Sequence, residues 1–384
     1  MLFEKRLWAN FDWVMFLTVA AIACMGLVNL YSSSYTGQLG GSTVFQKQLY
    51  FFLFSFALIL IVVQFDYRHL LDWNKPIYLL MLLLLIATFF TGSTIAGTQR
   101  WIPLGFLRLQ PSEPAKLMLV IILAGYYYRH DTGKGLTLRD LVRPGLLTLP
   151  PFILILKQPD LGTSLMLVII FISMTLFVKL KWATFAVLTS GCLAMLPLGW
   201  NFMKPYQKER VMTFVNSIFD PAKSDVMDSG YQIMQSKITV GSGLFFGKGY
   251  LKGTQGHLHF LPERHTDFAF SVLAEEWGFA GCLFFLACYF LMILWGLHIG
   301  LTARDRFGVL LAFGIVALIF WQAVINLLMV MGFLPVVGIP LPLFSYGGSS
   351  LLTTMLGIAI LINIRTRRFM ATGMTNNAPR VYDK

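Results

Sequence analysis

The chain of 384 residues has little charge: Asp, Glu, Lys and Arg make up 12% of it, whereas hydrophobic residues make up 57%. A typical soluble domain has about 25% charged and about 45–50% apolar residues. So few charges cannot cover the surface of a soluble protein of this length, which excludes a soluble enzyme and a disordered chain. The class that remains is an integral membrane protein with many spans.

Cysteine is scarce as well, with four residues, and acidic residues are fewer than basic ones, which gives a net charge of +12. Each cysteine lies in an apolar run and lacks a histidine at metal-ligand spacing, so we expect small buried side chains and no disulfide. The basic excess does not indicate a nucleic-acid partner, because Lys and Arg accumulate in the cytoplasmic loops of membrane proteins.

Long apolar runs predict an all-α polytopic integral membrane protein of about ten transmembrane helices, since about 17–25 apolar residues cross a bilayer. With the N-terminus inside, most Lys and Arg of the short loops fall on the cytoplasmic side, which predicts that both termini are cytoplasmic. The whole chain, 1–384, is then one membrane domain, and 201–267 is a large extracytoplasmic loop between helices 7 and 8. The first run is too long for a signal peptide, so we expect an uncleaved span. The runs are 13–33, 49–64, 76–91, 113–128, 144–156, 162–178, 182–200, 268–297, 307–331 and 346–364.

Three further segments on the outer side attract attention. The uncharged segment 332–346 contains three prolines and many apolar residues, which suggests a re-entrant or interfacial segment. The glycine-rich run 241–249 fails the P-loop spacing, so it is either a flexible turn or a backbone cradle that holds a lipid diphosphate with Lys248. His257, His259 and His265 lie close in sequence, but this spacing alone is weak evidence for a metal site.

Several ionisable residues fall at membrane depth, where charge is costly and is by default a functional hypothesis. Glu113 and Lys116 are spaced to pair on one helix face, and this pair is either structural or functional. Asp160 is either the cap of the helix that follows it or a functional carboxylate. Glu275 and Glu276 point about 100° apart on a helix and cannot both face one pocket squarely, so structural pairing with interior cations is favoured.

The stretch 260–270 ends the long outer loop and opens the eighth predicted span, which places Asp267 at the outer membrane boundary. One interpretation is an N-terminal helix cap, where the helix dipole keeps a carboxylate ionised. The other is a general base beside the headgroup of a membrane-bound substrate. Nearby cations could bind an anionic headgroup, and these are Arg210, Lys248, Lys252 and Arg264.

Taken together, these segments resemble the SEDS family (shape, elongation, division and sporulation proteins) over essentially the whole chain. Three examples are Gln-Pro-Ser-Glu-Pro-Ala-Lys at 110–116, Leu-Pro-Glu-Arg-His-Thr-Asp-Phe at 261–268 and Ser-Tyr-Gly-Gly-Ser at 345–349. Arg264 and the short termini resemble the RodA (elongation) branch more than the FtsW (division) branch. The other matching segments are 99–102, 158–163, 205–207, 230–232, 235–236, 241–243 and 340–342.

The resemblance implies a peptidoglycan glycosyltransferase that polymerises lipid II at the outer face of the bacterial cytoplasmic (inner) membrane during cell elongation. It also implies a class B penicillin-binding protein, a transpeptidase, as partner within the elongation machinery. The essential aspartate of the family corresponds to Asp267, and other functional positions correspond to Arg100, Glu113, Lys116 and Asp160. A divalent cation such as Mg²⁺ or Mn²⁺ could share the stabilisation of the leaving diphosphate with the cations, and the sequence leaves this open.

Two other functions are compatible with the sequence. A lipid II flippase would also have many spans and buried charges, but a carrier places its site near the midplane between inverted repeats, and we find no convincing repeat. A non-catalytic scaffold that only positions the transpeptidase would make Asp267 dispensable.

Overall fold

A computed structural model describes residues 10–35, 43–95, 98–104, 107–130, 135–202, 208–209, 211–215, 229–254, 261 and 263–368. Each of the ten predicted apolar runs overlaps a helix, so the largely helical fold is confirmed. Pro76, Pro114 and Pro144 all lie in the first turn of a helix, where the missing N–H has no helical partner to lose. The helices of 14 or more residues are α1 (Trp13–Ser33), α2 (Thr43–Val62), α3 (Asn74–Thr91), α4 (Ser112–His130), α5 (Val142–Lys157), α6 (Leu161–Phe177), α7 (Trp182–Phe202), α8 (Ser229–Ser242), α9 (Ala269–Leu301), α10 (Arg306–Val330) and α11 (Gly348–Arg367).

Five of these helices, α1, α2, α9, α10 and α11, are long and apolar enough to cross a membrane. The chain is therefore a membrane-embedded protein, while a total of ten spans stays a prediction. Helix α10 lies centrally and packs against α9, α4 and α6, and α11 packs against α2. Most of the α10 side chains are buried inside the protein, which explains why this helix is apolar all round.

The expectation of an all-α fold misses a small antiparallel sheet between α3 and α4. Strand β1 (Ser93–Ile95) pairs with β2 (Thr98–Leu104), which also pairs with β3 (Leu107–Leu109). Thr94 lies opposite Gln99, and Ile102 lies opposite Leu109. These strands are too short to stand out in hydropathy, yet they give the segment between α3 and α4 a defined structure.

The predicted outer loop 201–267 contains helix α8, and the residues after α8 form backbone hydrogen bonds across a break in α9. The backbone of α9 is non-helical at Gly278, where φ is 64° and ψ is −164°. This break removes the helical bonds that Phe279 and Ala280 would donate to the carbonyls of Glu275 and Glu276.

Segment 244–249 supplies substitutes for both missing bonds. Phe279 N–H donates to the Leu244 carbonyl at 2.9 Å, and the next residue donates to the Phe245 carbonyl at 3.0 Å. In return, Lys248 N–H donates to the Glu275 carbonyl at 2.9 Å and Gly249 N–H donates to the Glu276 carbonyl at 3.0 Å. The glycine-rich run is therefore ordered, and its hydrogen bonds bridge the break in α9. This corrects both interpretations of the run. It is not a flexible turn, and the Lys248 and Gly249 N–H groups are not directed at a phosphate.

Candidate active site

A cavity of about 660 Å³ lies where the small sheet, the first turns of α4 and α6, and the turn before α9 meet. Its volume is in the range of small-molecule sites in proteins. Four residues singled out by the sequence line it: Arg100, Glu113, Asp160 and Asp267. The other lining residues are Trp101, Gln110, Pro159, Leu161, Val211, Gln232, Glu263, Thr266, Pro335, Val336, Val337, Gly338, Pro340, Tyr346, Gly347, Ser349 and Ser350.

Asp160 is the N-cap residue of α6, and its Oδ1 accepts a bond from Thr163 N–H at 3.2 Å. Its Oδ2 accepts from the Thr163 hydroxyl at 3.0 Å and from the Gln110 amide at 3.3 Å. The capping interpretation is therefore confirmed. Because the same carboxylate also lines the cavity, the cap and a role in the cavity do not exclude each other.

Arg100 lies on β2 and reaches across to the turn that precedes α6. Its Nε donates to the Gln158 carbonyl at 2.8 Å, and its Nη2 donates to the Pro159 carbonyl. Its Nη1 lies 4.0 Å from Asp160 Oδ1. A guanidinium has five N–H groups, so these contacts fix the side chain and leave donors for a ligand in the cavity.

Glu113 and Lys116 form the predicted pair on the first turns of α4, with 2.9 Å between Lys116 Nζ and Glu113 Oε1. Both side chains are almost fully buried, at 4% and 1% exposure. Only Glu113 lines the cavity, and Lys116 lies behind it. The lysine therefore compensates the charge of a buried carboxylate, since a buried charge without such a partner is strongly destabilising.

Asp267 lies in the turn 263–268, which contacts on three sides hold in place. Tyr346 N–H donates to the His265 carbonyl at 2.8 Å. Arg264 Nε donates to the Ser33 carbonyl at 2.9 Å. The Asn326 amide donates to the Asp267 carbonyl at 2.8 Å. Helix α9 begins at Ala269 with Phe268 as its N-cap residue. Asp267 therefore precedes the cap position, and its half-buried side chain lines the cavity instead.

The predicted interfacial segment 332–346 forms one wall of the cavity. Its backbone has no regular structure, and its apolar side chains at Ile339, Leu341 and Phe344 are buried within the protein. Irregular backbone at membrane depth is tolerated where protein buries it or where it lines a cavity, and this segment meets both conditions.

Lys248 does not line this cavity. Its Nζ lies 2.6 Å from Glu275 Oε1 and also donates to the Thr254 hydroxyl at 2.9 Å. The physical reason is that Glu275 is completely buried and needs a cation beside it. The predicted structural pairing is thus confirmed for Glu275, whereas Glu276 accepts a bond from the Ser32 hydroxyl rather than from a cation.

Arg264 also lies outside the cavity lining, although it is close in sequence to Asp267. Its guanidinium is buried, which lowers its pKa, and it anchors the turn 263–268 to the end of α1. Arg210, His257 and His259 lie outside the described residues, and Lys252 does not line the cavity.

The sequence leaves open whether a divalent cation such as Mg²⁺ or Mn²⁺ takes part. Among the residues that the structure describes, no group of three or more His, Cys, Asp and Glu side chains is arranged to hold a metal ion. His265 is turned toward α1, where its Nδ1 lies 3.0 Å from the Ser33 hydroxyl.

Sequence reasoning missed residues that organise the cavity without carrying charge. Gln48 of α2 donates to the Ser345 carbonyl and accepts from Gly347 N–H, both at 3.3 Å. Asn326 of α10 holds the Asp267 backbone, and the Ser349 hydroxyl bridges Gln110 N–H and the Arg108 carbonyl. The available signal was a lone amide or hydroxyl in an otherwise apolar run, which is costly to bury without hydrogen-bond partners.

Known proteins are similar to this chain over nearly its whole length. A family model described as a cell cycle protein, FtsW/RodA/SpoVE, matches residues 12–369. The chain is 37% identical over 370 residues to the peptidoglycan glycosyltransferase MrdB of Escherichia coli, and the match covers 96% of this chain and 97% of that protein. It is 32% identical to the peptidoglycan glycosyltransferase RodA of Treponema pallidum, with 94% of this chain and 98% of that protein covered.

Among solved structures, the chain is similar to one from a study of the structural coordination of polymerization and crosslinking by a peptidoglycan synthase complex. The TM-score is 0.79 at 31% sequence identity, and the match covers 94% of this chain and 99% of that chain. The likeness therefore extends over the whole membrane fold.

Proposed function

This chain belongs to the FtsW/RodA/SpoVE family of cell cycle proteins, and we propose that it uses Asp267 as the general base of glycan polymerisation. The resemblance to the SEDS family and to its RodA branch is thereby confirmed. Identity of 37% and 32% to curated relatives over nearly the whole chain makes it a peptidoglycan glycosyltransferase.

The proposed substrate is lipid II, an undecaprenyl-diphosphate-linked disaccharide-pentapeptide. Asp267 removes the proton of the 4-hydroxyl of the acceptor GlcNAc, and this oxygen attacks the anomeric carbon of the donor MurNAc. The bond from that carbon to the diphosphate oxygen breaks, and the configuration inverts from α to β. Departure of the diphosphate supplies the driving force, so the reaction needs no nucleotide site.

The observation that carries this proposal is the arrangement of charges around one cavity. Asp267 contributes a half-buried carboxylate on one side, and Arg100 contributes a guanidinium on the sheet that forms another side. A base and a cation that line the same cavity are the two elements that the transfer needs, one for the acceptor proton and one for the leaving diphosphate.

Arg100 is the cation that we assign to the diphosphate, since its position is already fixed by two backbone carbonyls. A preorganised donor of this kind costs little reorganisation at the moment of reaction. Glu113, with Lys116 behind it, and Asp160 would bind or orient the substrate from the floor of the cavity. Lys248 and Arg264 are not included in the proposed site because they hold Glu275 and the Ser33 carbonyl, and Arg210 stays a prediction.

We further propose that the protein lies in the bacterial cytoplasmic membrane with both termini in the cytoplasm and the cavity on the outer side. The excess of Lys and Arg in the alternate short loops supports this orientation. The proposed partner is a class B penicillin-binding protein within the elongation machinery, and similarity to the peptidoglycan synthase complex supports an assembly of this kind.

The experiment that tests the function uses purified protein with its transpeptidase partner in vesicles that contain lipid II. Wild type and Asp267→Ala are compared for glycan polymer and for movement of the lipid II headgroup across the bilayer. We expect polymer from the wild type and none from the variant, with both proteins equally folded by thermal unfolding. Headgroup movement without polymer would instead indicate a flippase, and equal polymer from both proteins would refute Asp267 as the base.

A further inference from the structure

One amide connects the proposed base to the opposite wall of the cavity. Asn326 lies within α10 and is fully buried, with 0% exposure. Its Nδ2 donates to the Asp267 carbonyl at 2.8 Å and to the Ile339 carbonyl at 2.8 Å. Because both partners are acceptors, only the NH₂ group of the side chain can face them, and each of its two hydrogens has one partner.

The two carbonyls belong to parts of the chain that are far apart in sequence but adjacent at the cavity. Ile339 lies between Gly338 and Pro340, which both line the cavity. Gly338 has a φ of +71°, and a Cβ built there would lie 3.6 Å from Asp267 Oδ2. The Asp267 carboxylate therefore rests beside this wall, and the Asn326 amide sets the spacing between the backbone that carries it and the wall.

The bonding of Asn326 differs from that of an amide that only satisfies a helix end. Asn29 of α1 donates one bond, at 3.0 Å, to the carbonyl of Ala269, which lies close to Asp267 in sequence. Neither asparagine lines the cavity, but the Asn29 amide makes no bond to the wall. The two asparagines thus bind neighbouring carbonyls at the start of α9, but Asn326 alone of this pair also binds the wall.

We propose that Asn326 is a positioning residue for the transfer reaction: by binding the Asp267 and Ile339 carbonyls together, it fixes the carboxylate beside the cavity wall that segment 332–346 forms. This inference rests on the proposed role of Asp267 as general base. A catalytic group must be held within a fraction of an ångström of its productive position, and a remote change that displaces it by about 1 Å can cost about 100-fold in rate.

The test measures kcat and KM for lipid II polymerisation by Asn326→Leu and Asn326→Ser in complex with the partner. Leucine has a similar volume and removes both donors, whereas serine has one O–H and can bind at most one of the two carbonyls. We expect kcat to fall about 10–100-fold in the leucine variant and less in the serine variant. KM for lipid II should stay within about threefold, because the groups that bind the diphosphate are unchanged.

Asn29→Leu is the matched control, since it removes an amide bond to the same helix start without touching the wall. It should keep kcat within about threefold of the wild type at equal folding. A folded Asn326→Leu or Asn326→Ser protein with wild-type kcat overturns the proposal, as does an equal loss of kcat in Asn29→Leu. Wild type and Asp267→Ala are measured beside them. If Asp267→Ala polymerises normally, the proposed function itself fails; if it is inactive and Asn326→Leu is normal, only the positioning role fails.

Discussion

Asp267 lies in the turn before α9 and Glu275 lies in the second turn of that helix, and the protein surrounds their carboxylates differently. Glu275 is completely buried, and one of its oxygens accepts bonds from Lys248, from Thr254 N–H and from the Thr254 hydroxyl. Asp267 is half-buried, its backbone carbonyl is held by Asn326, and its side chain lines the cavity.

The difference distinguishes a carboxylate that fastens the fold from one that lines the cavity. At Glu275 the side chain itself makes the structural bonds, so a ligand would have to displace Lys248 and Thr254. At Asp267 the main chain makes the bond to Asn326, which fixes the residue while its carboxylate borders an open volume. Changes near Glu275 should therefore act on stability, and changes at the cavity should act on turnover.

The largest effect on stability is expected at Gly247, in the segment whose hydrogen bonds bridge the break in α9. Its φ is +78°, and a Cβ there would overlap the carbonyl of Glu276. We expect Gly247→Ala to lower the free energy of unfolding by about 2–4 kcal/mol, measured by thermal or denaturant unfolding in detergent. Gly241→Ala is the control, because nothing lies within 4 Å of a Cβ built there. An equal loss of unfolding free energy in both variants would contradict the inference that segment 244–249 stabilises the break in α9.

A smaller loss of stability is expected from Glu275→Gln, which leaves Lys248 without its carboxylate. Complete loss of a buried partner costs about 3–5 kcal/mol, but the Lys248 side chain is 28% exposed and can turn toward solvent. We therefore expect a loss of about 1–3 kcal/mol, with turnover per folded molecule within about threefold of the wild type. Adding Lys248→Met should recover part of this stability. A stable Glu275→Gln protein that has lost turnover would instead indicate that Glu275 takes part in the reaction, as proposed for Asp267.

The smallest effects are expected at Asp160, which both caps α6 and lines the cavity. Asn caps helices as well as Asp does, so Asp160→Asn should lower the free energy of unfolding less than Asp160→Ala, which should lose about 1 kcal/mol. If the charge also serves the substrate, Asp160→Asn should lower turnover about tenfold, which corresponds to about 1.4 kcal/mol. Wild-type turnover in Asp160→Asn would show that the charge of Asp160 is not needed for the reaction and that its role is structural.

Composition and hydropathy predict much of the helical framework, because a span must be long and apolar whatever it packs against. They do not predict the sheet 93–109, whose strands are too short to show a periodic pattern, or the break in α9. Gly278 is one glycine in an apolar run, and its φ of 64° follows from the packing of segment 244–249 against it rather than from its neighbours in sequence.

The candidate site was predictable to a similar degree. Carboxylates at membrane depth or at its boundary stand out because charge is costly there, and this criterion identified Glu113, Asp160 and Asp267. Arg100 was identified only by the resemblance to the family. The criterion could not separate Lys248 from Arg100, since both are cations in outer loops and only the tertiary contacts show that Lys248 neutralises Glu275. It also missed Asn326, whose importance depends on two carbonyls from distant parts of the chain.

The central claim, that Asp267 performs chemistry rather than binding or folding, is tested most directly by comparing lipid II binding and polymerisation in Asp267→Asn. Asparagine keeps the size of the side chain and removes its basicity. We expect the dissociation constant for lipid II and the unfolding temperature to match the wild type, while polymerisation falls about 10²–10⁴-fold. A loss of binding that accounts for the loss of polymerisation, or polymerisation at the wild-type rate, would contradict the account.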